Sequence, residues 1–200
     1  MRYFVTAIGT DSGKTITSAI LVEALKADYW KPVQSGYPRD SETVADLVSF
    51  PVKIFPSSYE FAKPASPHDS AKAENKIIEL AKITLPQTDN HLIIEGAGGI
   101  LVPLNDQDFV IDIAQKFDLE IILVVNLYLG CINHTLLSVR ELQRRNLKVK
   151  GIVFNGVSNP ESERIILHHS GYQELLHIEK EALITPLIVQ KYAEKIKNIL

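Results

Sequence analysis

The amino-acid sequence predicts an α/β fold, a mostly parallel sheet with helices on both faces. Three observations carry that expectation. Short apolar runs alternate with longer amphipathic stretches, the order that builds parallel strands joined by crossover helices. A glycine-rich segment separates the first apolar run from the first amphipathic one. The chain has 200 residues and a hydrophobic fraction of 46%, which suits one domain, residues 1–200, around a sizeable core.

Residues 3–7 read as a buried strand and 14–27 as a helix, with Ile16, Ile20, Leu21, Ala24 and Leu25 at helical spacing. Residues 29–33 read as a second short strand that ends at Pro32. A helix over 40–50 rests on Val44, Leu47 and Val48, and one over 71–83 on Ile77, Ile78, Leu80 and Ala81. The Pro- and Ser-containing stretch 55–70 reads as a long ordered loop, a kind of segment that is often functional. Then come a strand over 91–95 that runs into a glycine turn, a helix over 110–117 and a strand over 120–125. A helix over 133–145 has a basic last turn that suits its dipole, and a strand covers 149–154. The last helix, 186–200, begins on Pro186, a permitted first position. Right-handed crossovers are expected, with ligands at the carboxyl ends of the strands.

The formal net charge of −3 speaks against a nucleic-acid backbone as partner, since that calls for a basic balance. The apolar run 121–125 is far too short to span a bilayer, so no membrane partner is expected. The N-terminal residues do not read as a signal peptide. The single cysteine, Cys131, cannot form an internal disulfide, and a reducing, cytoplasmic setting is expected. His168 and His169 read as a solvated surface pair rather than metal ligands.

The strongest local signal is Ala7-Ile8-Gly9-Thr10-Asp11-Ser12-Gly13-Lys14-Thr15, between a predicted strand and a predicted helix. That is the context of a phosphate-binding loop, whose backbone N–H groups and helix N-terminus form a concave anion site. The strict pattern has a glycine where Ile8 stands; a longer variant has one where Ala7 stands. The expected fold is therefore of the P-loop NTPase type, in three layers. Asp11, Ser12, Gly13, Lys14, Thr15 and Ile16 are the expected phosphate contacts, with Lys14 reaching the β/γ phosphates and the Thr15 hydroxyl on Mg²⁺. Leu92-Ile93-Ile94-Glu95 delivers one carboxylate to the same sheet edge, where it can hold the metal directly or through water. Gly96, Ala97, Gly98 and Gly99 follow and let backbone approach a nucleotide closely.

Four further segments make the chain resemble the dethiobiotin synthase family: Lys31-Pro32-Val33-Gln34-Ser35-Gly36, Pro64-Ala65-Ser66-Pro67-His68, Glu95-Gly96-Ala97-Gly98-Gly99 and Leu129-Gly130-Cys131-Ile132-Asn133-His134. With the longer P-loop they stand in the family's order from Phe4 to about Asn155. The resemblance implies an ATP-dependent ligase that closes a ureido ring on 7,8-diaminopelargonate with CO₂ (or bicarbonate), through a carbamate and a carbamic-phosphoric anhydride. It implies Lys31 as the catalytic lysine, aided by Lys14, and Thr10, Ser35 and Pro67 beside the substrate. Gly130, Cys131 and Asn133 would reach the substrate carboxylate across a homodimer interface. Asn155 and Gly156 would read adenine. Thr15, Glu95 and a third acid would hold Mg²⁺; Asp40 keeps the helix register, and Glu42 is the alternative. Leu176-His177-Ile178-Glu179 lacks the glycine and proline of the family's Gly-x-Ile-Pro segment, so adenine contacts do not carry over from it.

Two other readings compete. A P-loop amide ligase of the cobyrinate-synthesis type usually carries a glutaminase domain for which this chain is too short. A ParA/MinD-like ATPase switch often has a second lysine early in the loop, and residues 7–12 contain none.

Overall fold

The computed structural model describes residues 1–200. Its elements, in chain order, are β1 (Arg2–Ala7), α1 (Lys14–Leu25), β2 (Asp28–Trp30), β3 (Val33–Ser35), α2 (Asp40–Leu47), β4 (Ile54–Phe55), β5 (Tyr59–Phe61), α3 (Pro67–Ala73), a 3-10 turn (Leu80–Lys82), β6 (Leu92–Gly99), α4 (Val110–Lys116), β7 (Glu120–Asn126), α5 (Cys131–Arg144), β8 (Val149–Asn155), α6 (Pro160–Ser170), β9 (Glu174–Ile178) and α7 (Pro186–Ile196).

Seven strands form one sheet in the order β4-β2-β6-β1-β7-β8-β9, and every pairing is parallel. Strands buried on both faces need no polar alternation, and the central ones have none: Ile121 to Val125 are all buried. Successive side chains point to opposite faces, so each strand feeds two cores. Phe4, Ile94, Leu123 and Phe154 pack with α4, α5 and α6 on one face. Tyr3, Val5, Ile93 and Val124 pack with α1, α2 and α7 on the other. The chain leaves β1 by α1 toward β2, and α4 later carries it from β6 past β1 to β7. The two crossovers depart on opposite faces and open a crevice at the carboxyl end of β1, where such folds bind ligands.

Four expectations need correction. The strand expected at 29–33 is two. Pro32 has no N–H to give a ladder, and the chain leaves the main sheet there; β2 stays in it while β3 pairs with β5 in a separate two-stranded sheet. The loop expected at 55–70 contains β5 and the first turns of α3. The helix expected at 71–83 lies earlier, over Pro67–Ala73, and stops where Asn75 takes a φ of 54°. Ile78 and Ile83 plug the core without being helical, and Ile77 is exposed. Their carbonyl neighbours are satisfied by Lys116, whose ammonium donates to Leu80 O, Ala81 O and Ile83 O at 2.8, 3.0 and 2.8 Å. Finally, α6 and β9 went unread, although Asn159 caps α6 by accepting from the Ser162 N–H at 3.0 Å, with Pro160 in its first turn.

The α4–α5 face is tied by a charge cluster. Glu141 accepts from Arg144 Nε at 2.7 Å and from Arg145 Nε at 2.6 Å, and Arg145 also reaches Asp112 on α4. The Arg144 and Arg145 guanidiniums pull the Glu141 carboxyl down to about 2 from 4.5. A carboxyl depressed in the folded state contributes stability above its unfolded value and loses it as pH falls through the folded one. Glu141→Gln should therefore destabilise by about 1 kcal/mol at neutral pH, the discounted worth of a solvent-touched pair. The gap to the unmodified protein should close as pH falls from about 4.5 toward about 2; chemical denaturation across that range measures it.

Candidate active site

The crevice at the end of β1 is walled by residues 8–13. Asp11 and Gly13 both take left-handed backbone, φ 55° and 94°, and this curl turns the amides inward. No backbone N–H from Thr10 to Ile16 meets an acceptor in the protein. With the open N-terminus of α1 behind them, these amides form an anion-binding nest. The loop is pinned from two neighbouring strand ends. Asn126, at the end of β7, places its Oδ1 2.9 Å from Ser12 Oγ, and Asn155, at the end of β8, donates its Nδ2–H to Ser12 O at 3.0 Å. Gly13 is fixed by the same contact, because a Cβ there would lie 2.4 Å from Asn155 Nδ2. Lys14 folds over the loop and donates to Gly9 O at 3.1 Å. Burial holds its pKa below the ordinary lysine value, with the nearby Glu95 charge pulling the other way.

Beside the nest lies a buried charge cluster. Glu95 leaves β6 only 1% exposed, and Lys31, one residue past β2, is 7% exposed. The Lys31 ammonium donates to Glu95 Oε1 at 3.1 Å and to Asp40 Oδ2. Thr15 Oγ1 stands 2.8 Å from Asp40 Oδ1 and 2.9 Å from Glu95 Oε1. Tyr29 donates its hydroxyl to Glu95 Oε2 at 3.0 Å. Burial, with the Glu95 charge beside it, lifts the Tyr29 phenol well above its ordinary value. Burial alone would lower the Lys31 pKa, but Glu95 and Asp40 outweigh it and the net direction is upward. Burial likewise works to raise Asp40, and Lys31 overrides it, so the carboxyl sits below its usual range. The two carboxylates thus favour the ammonium form of Lys31.

These residues fit a hard divalent cation. Three oxygens, Thr15 Oγ1, Asp40 Oδ1 and Glu95 Oε1, converge on one another. The hydroxyl has one proton for two carboxylates, so one of those oxygens lacks a donor from it. Hydroxyl and carboxylate oxygens are the ligands such a cation takes, commonly alongside phosphate oxygens. Glu42 takes no part: it accepts from the Arg39 N–H at 3.2 Å and from the Arg39 guanidinium at 2.9 Å, on the exposed side of α2.

The cleft has a volume of about 710 Å³. It brings together Thr10, Asp11, Ser12, Gly13, Lys14, Thr15, Ile16, Lys31, Ser35, Asp40, Pro67, Glu95, Ala97 and Gly98. Gly96 lies behind the lining, where a Cβ would press on Phe4 and Val110 at 3.1 Å. Asn155 stands behind the P-loop rather than in the cleft, and Gly156 follows it with its N–H on Ile178 O. Gly130 and Cys131 line a separate cavity of about 350 Å³ with Tyr128 and Val157. Cys131 is buried packing there, and Asn133, two residues further along the first turn of α5, lies outside that lining.

Two residues of the cluster were missed. Tyr29 stands two positions before Lys31, a spacing that puts both on one face of an extended chain; that was the available signal. Gln34 holds Asp40 in place by accepting its N–H at 3.3 Å while donating to Gly36 O at 3.0 Å. Nothing in the sequence marks that role.

Against known proteins, residues 1–187 match the family described as AAA domain. The chain is 58% identical over 198 residues to the ATP-dependent dethiobiotin synthetase BioD of Cytophaga hutchinsonii, covering 98% of this chain and 96% of that one. It is 42% identical over 199 residues, with the same coverage, to the protein of that name from Christiangramia forsetii. Among solved structures, a ParA family ATPase from Chlorobium tepidum superposes with a TM-score of 0.61 at 15% identity, over 100% of this chain and 99% of that one. That likeness establishes the P-loop ATPase fold.

Gly13→Ala forces a Cβ onto the Asn155 amide in left-handed backbone. It should destabilise the protein by about 1–3 kcal/mol and weaken ATP binding by at least about tenfold as the nest distorts; melting and calorimetric titration measure the two effects.

Proposed function

From its membership of the ATP-dependent dethiobiotin synthetase family, to which the chain belongs, we propose that it closes the ureido ring of dethiobiotin from 7,8-diaminopelargonate, CO₂ and ATP. One observation carries the mechanism: a buried lysine ammonium, Lys31, held between two carboxylates beside a phosphate nest.

One substrate amine attacks CO₂ and, on losing a proton, becomes a carbamate. A carbamate oxygen attacks the γ-phosphorus of ATP and ADP leaves. The second amine attacks the carbonyl carbon of the mixed anhydride, phosphate leaves, and the ring closes. The hard step is the middle one, because it brings two anions together, and fixed positive charge is what lowers such a barrier. Amides of Asp11 to Ile16 hold the phosphates. Lys14 draws charge off the β/γ oxygens, and Lys31 faces the carbamate. Both act as ammonium ions, so neither has to give up a proton. Thr15, Asp40 and Glu95 hold Mg²⁺, which when bound neutralises phosphate charge. Thr10, Ser35 and Pro67 border the diamine. Support for the Ser35 role is its buried hydroxyl, which has no partner within the protein.

Asn155 and Gly156 form the base-side end of the nucleotide site. Gly130, Cys131 and Asn133 would take the substrate carboxylate from a second copy; the Cys131 N–H is held by Tyr128 O at 3.0 Å, and the Ile132 and Asn133 amides at the start of α5 are the ones left for an anion. The working unit is then a homodimer of single-domain chains. The cytoplasm is the proposed setting; the lone free cysteine fits it, and no helix is long and apolar enough to cross a membrane.

The test is ADP release with Mg²⁺ and bicarbonate, with and without the diamine, and with the product weighed. ADP formation should depend on the diamine and yield dethiobiotin. Slow hydrolysis indifferent to it would reject the ligase reading in favour of an ATPase switch. In the same assay Lys31→Ala should bind ATP within about threefold of the unmodified protein but lose about 10²–10³ in turnover, the usual cost of removing one transition-state charge contact.

A further inference from the structure

Glu95 and Asp40 each turn one carboxylate oxygen to the Thr15 hydroxyl and keep the other on a donor. Glu95 Oε1 stands 2.9 Å from Thr15 Oγ1, and Asp40 Oδ1 stands 2.8 Å from it. The second oxygen of Asp40 accepts from the Lys31 ammonium. The second oxygen of Glu95 accepts from the Tyr29 hydroxyl at 3.0 Å, and no other group of the chain donates to it. In the proposed reaction Lys31 faces the carbamate. The Tyr29 hydroxyl has no part there, yet it is a polar group buried where a plain apolar ring would pack.

The sheet fixes where that hydroxyl lies. Tyr29 stands opposite Ile93 on β6 and Ile54 on β4. Glu95 follows Ile93 by two positions and so shares its face of the sheet. Side chains lean along the strand, and the phenol meets the carboxylate at its tip. The Tyr29 ring is wholly buried in the core that holds Ile20 of α1 and Val44 and Leu47 of α2. A ring packed on all sides keeps one position, and its buried hydroxyl needs a partner. Glu95 Oε2 is that partner.

We propose that Tyr29 sets the choice of cation at this site: by holding Glu95 Oε2, it leaves the carboxylate one oxygen, Oε1, to offer a metal. The inference rests on the reading that Thr15, Asp40 and Glu95 hold Mg²⁺. Mg²⁺ demands a near-ideal octahedral set, and carboxylates that give it one oxygen each leave places for phosphate oxygens and water. Ca²⁺ is larger, takes more oxygens in a looser set and can take both from one carboxylate. With Lys31 on Asp40 Oδ2 and Tyr29 on Glu95 Oε2, neither carboxylate has a second oxygen free. The site is thereby short of ligands for the larger ion. Tyr29 is a positioning residue, acting through Glu95.

The experiment titrates Mg²⁺ and Ca²⁺ by calorimetry into the full-length protein saturated with a non-hydrolysable ATP analogue, for the unmodified chain and for Tyr29→Phe. The readout is the ratio of the Ca²⁺ to the Mg²⁺ dissociation constant in the variant, divided by the same ratio in the unmodified protein. That quotient cancels the preference of the nucleotide itself. Tyr29→Phe keeps the ring and frees Oε2, so the quotient should fall about fivefold, the scale of one polar contact. A phenol that only supports the fold would change both constants alike and leave the quotient at one. Should the variant not fold, the unmodified protein decides, through infrared spectra of its Mg²⁺ and Ca²⁺ forms with ¹³C in the glutamate carboxyl groups. The gap between the two carboxylate stretches is wide for ligation by one oxygen and narrow for ligation by two. The metal-sensitive glutamate signal should keep the wide gap with both ions. A quotient of one, or a gap that narrows with Ca²⁺, overturns the proposal while the Mg²⁺ site stands. If neither ion binds the complex more tightly than it binds the analogue alone, the Mg²⁺ reading fails and this inference fails with it.

Discussion

Burying the Glu95 carboxylate is the constraint on which the rest of the structure turns. An ionised carboxylate out of water is costly unless paired and hydrogen-bonded, and removing one partner of such a pair is more costly still. Glu95 finds three partners from two stretches of chain: Tyr29 on β2 with Lys31 just beyond it, and Thr15 in the first turn of α1. The β2–β6 pairing, with Trp30 opposite Ile94, sets Lys31 at the height of Glu95. Pro32 then ends the strand at once, so the backbone turns away while the ammonium stays. The small β3–β5 sheet follows from that departure. It carries Gln34 and Ser35 to the cleft, and Gln34 in turn seats Asp40 at the start of α2.

The phosphate loop is organised by the same sheet from the other side. Asn126 and Asn155 are opposite one another at the ends of β7 and β8, and both reach Ser12. One strand pair thus shapes the loop, while β2 and β6 supply the charges next to it. In the proposed reaction the nucleotide and the substrate would meet over β1, where the two crossovers part. The loop leans on these strand ends and on its own side chains, with Ser12 Oγ and Lys14 Nζ both donating to Gly9 O.

Much of this was legible in the sequence. The parallel α/β fold, the P-loop and the Glu95 strand follow from apolar runs and glycine spacing, because buried parallel strands and phosphate nests admit few residue types. Helix register favours Asp40 over Glu42, and Asp40 faces Thr15 while Glu42 turns to Arg39. What could not be read depends on tertiary context. Ile78 and Ile83 look helical by spacing yet plug the core as irregular chain, with Lys116 satisfying the backbone beside them. Asn155 carries an amide that suits a base edge, but one of its two amide hydrogens goes to Ser12 O, a contact between residues 143 positions apart that spacing cannot show. The α6 cap, Asn159-Pro160, was local and readable; β9 was not, since its role comes from pairing with β8.

The proposed mechanism needs Lys31 as an ammonium ion, a form that Asp40 and Glu95 favour against the pull of burial. The most direct measurement is carbon-detected NMR of protein carrying ¹³C at lysine Cε, with Lys31 assigned by substitution and followed as pH rises. The Lys31 signal should keep its ammonium shift to higher pH than the exposed lysines do, because Glu95 and Asp40 outweigh the pull of burial. A Lys31 signal that titrates near neutral pH would show a neutral amine between the two carboxylates, and the charge balance described here would be wrong.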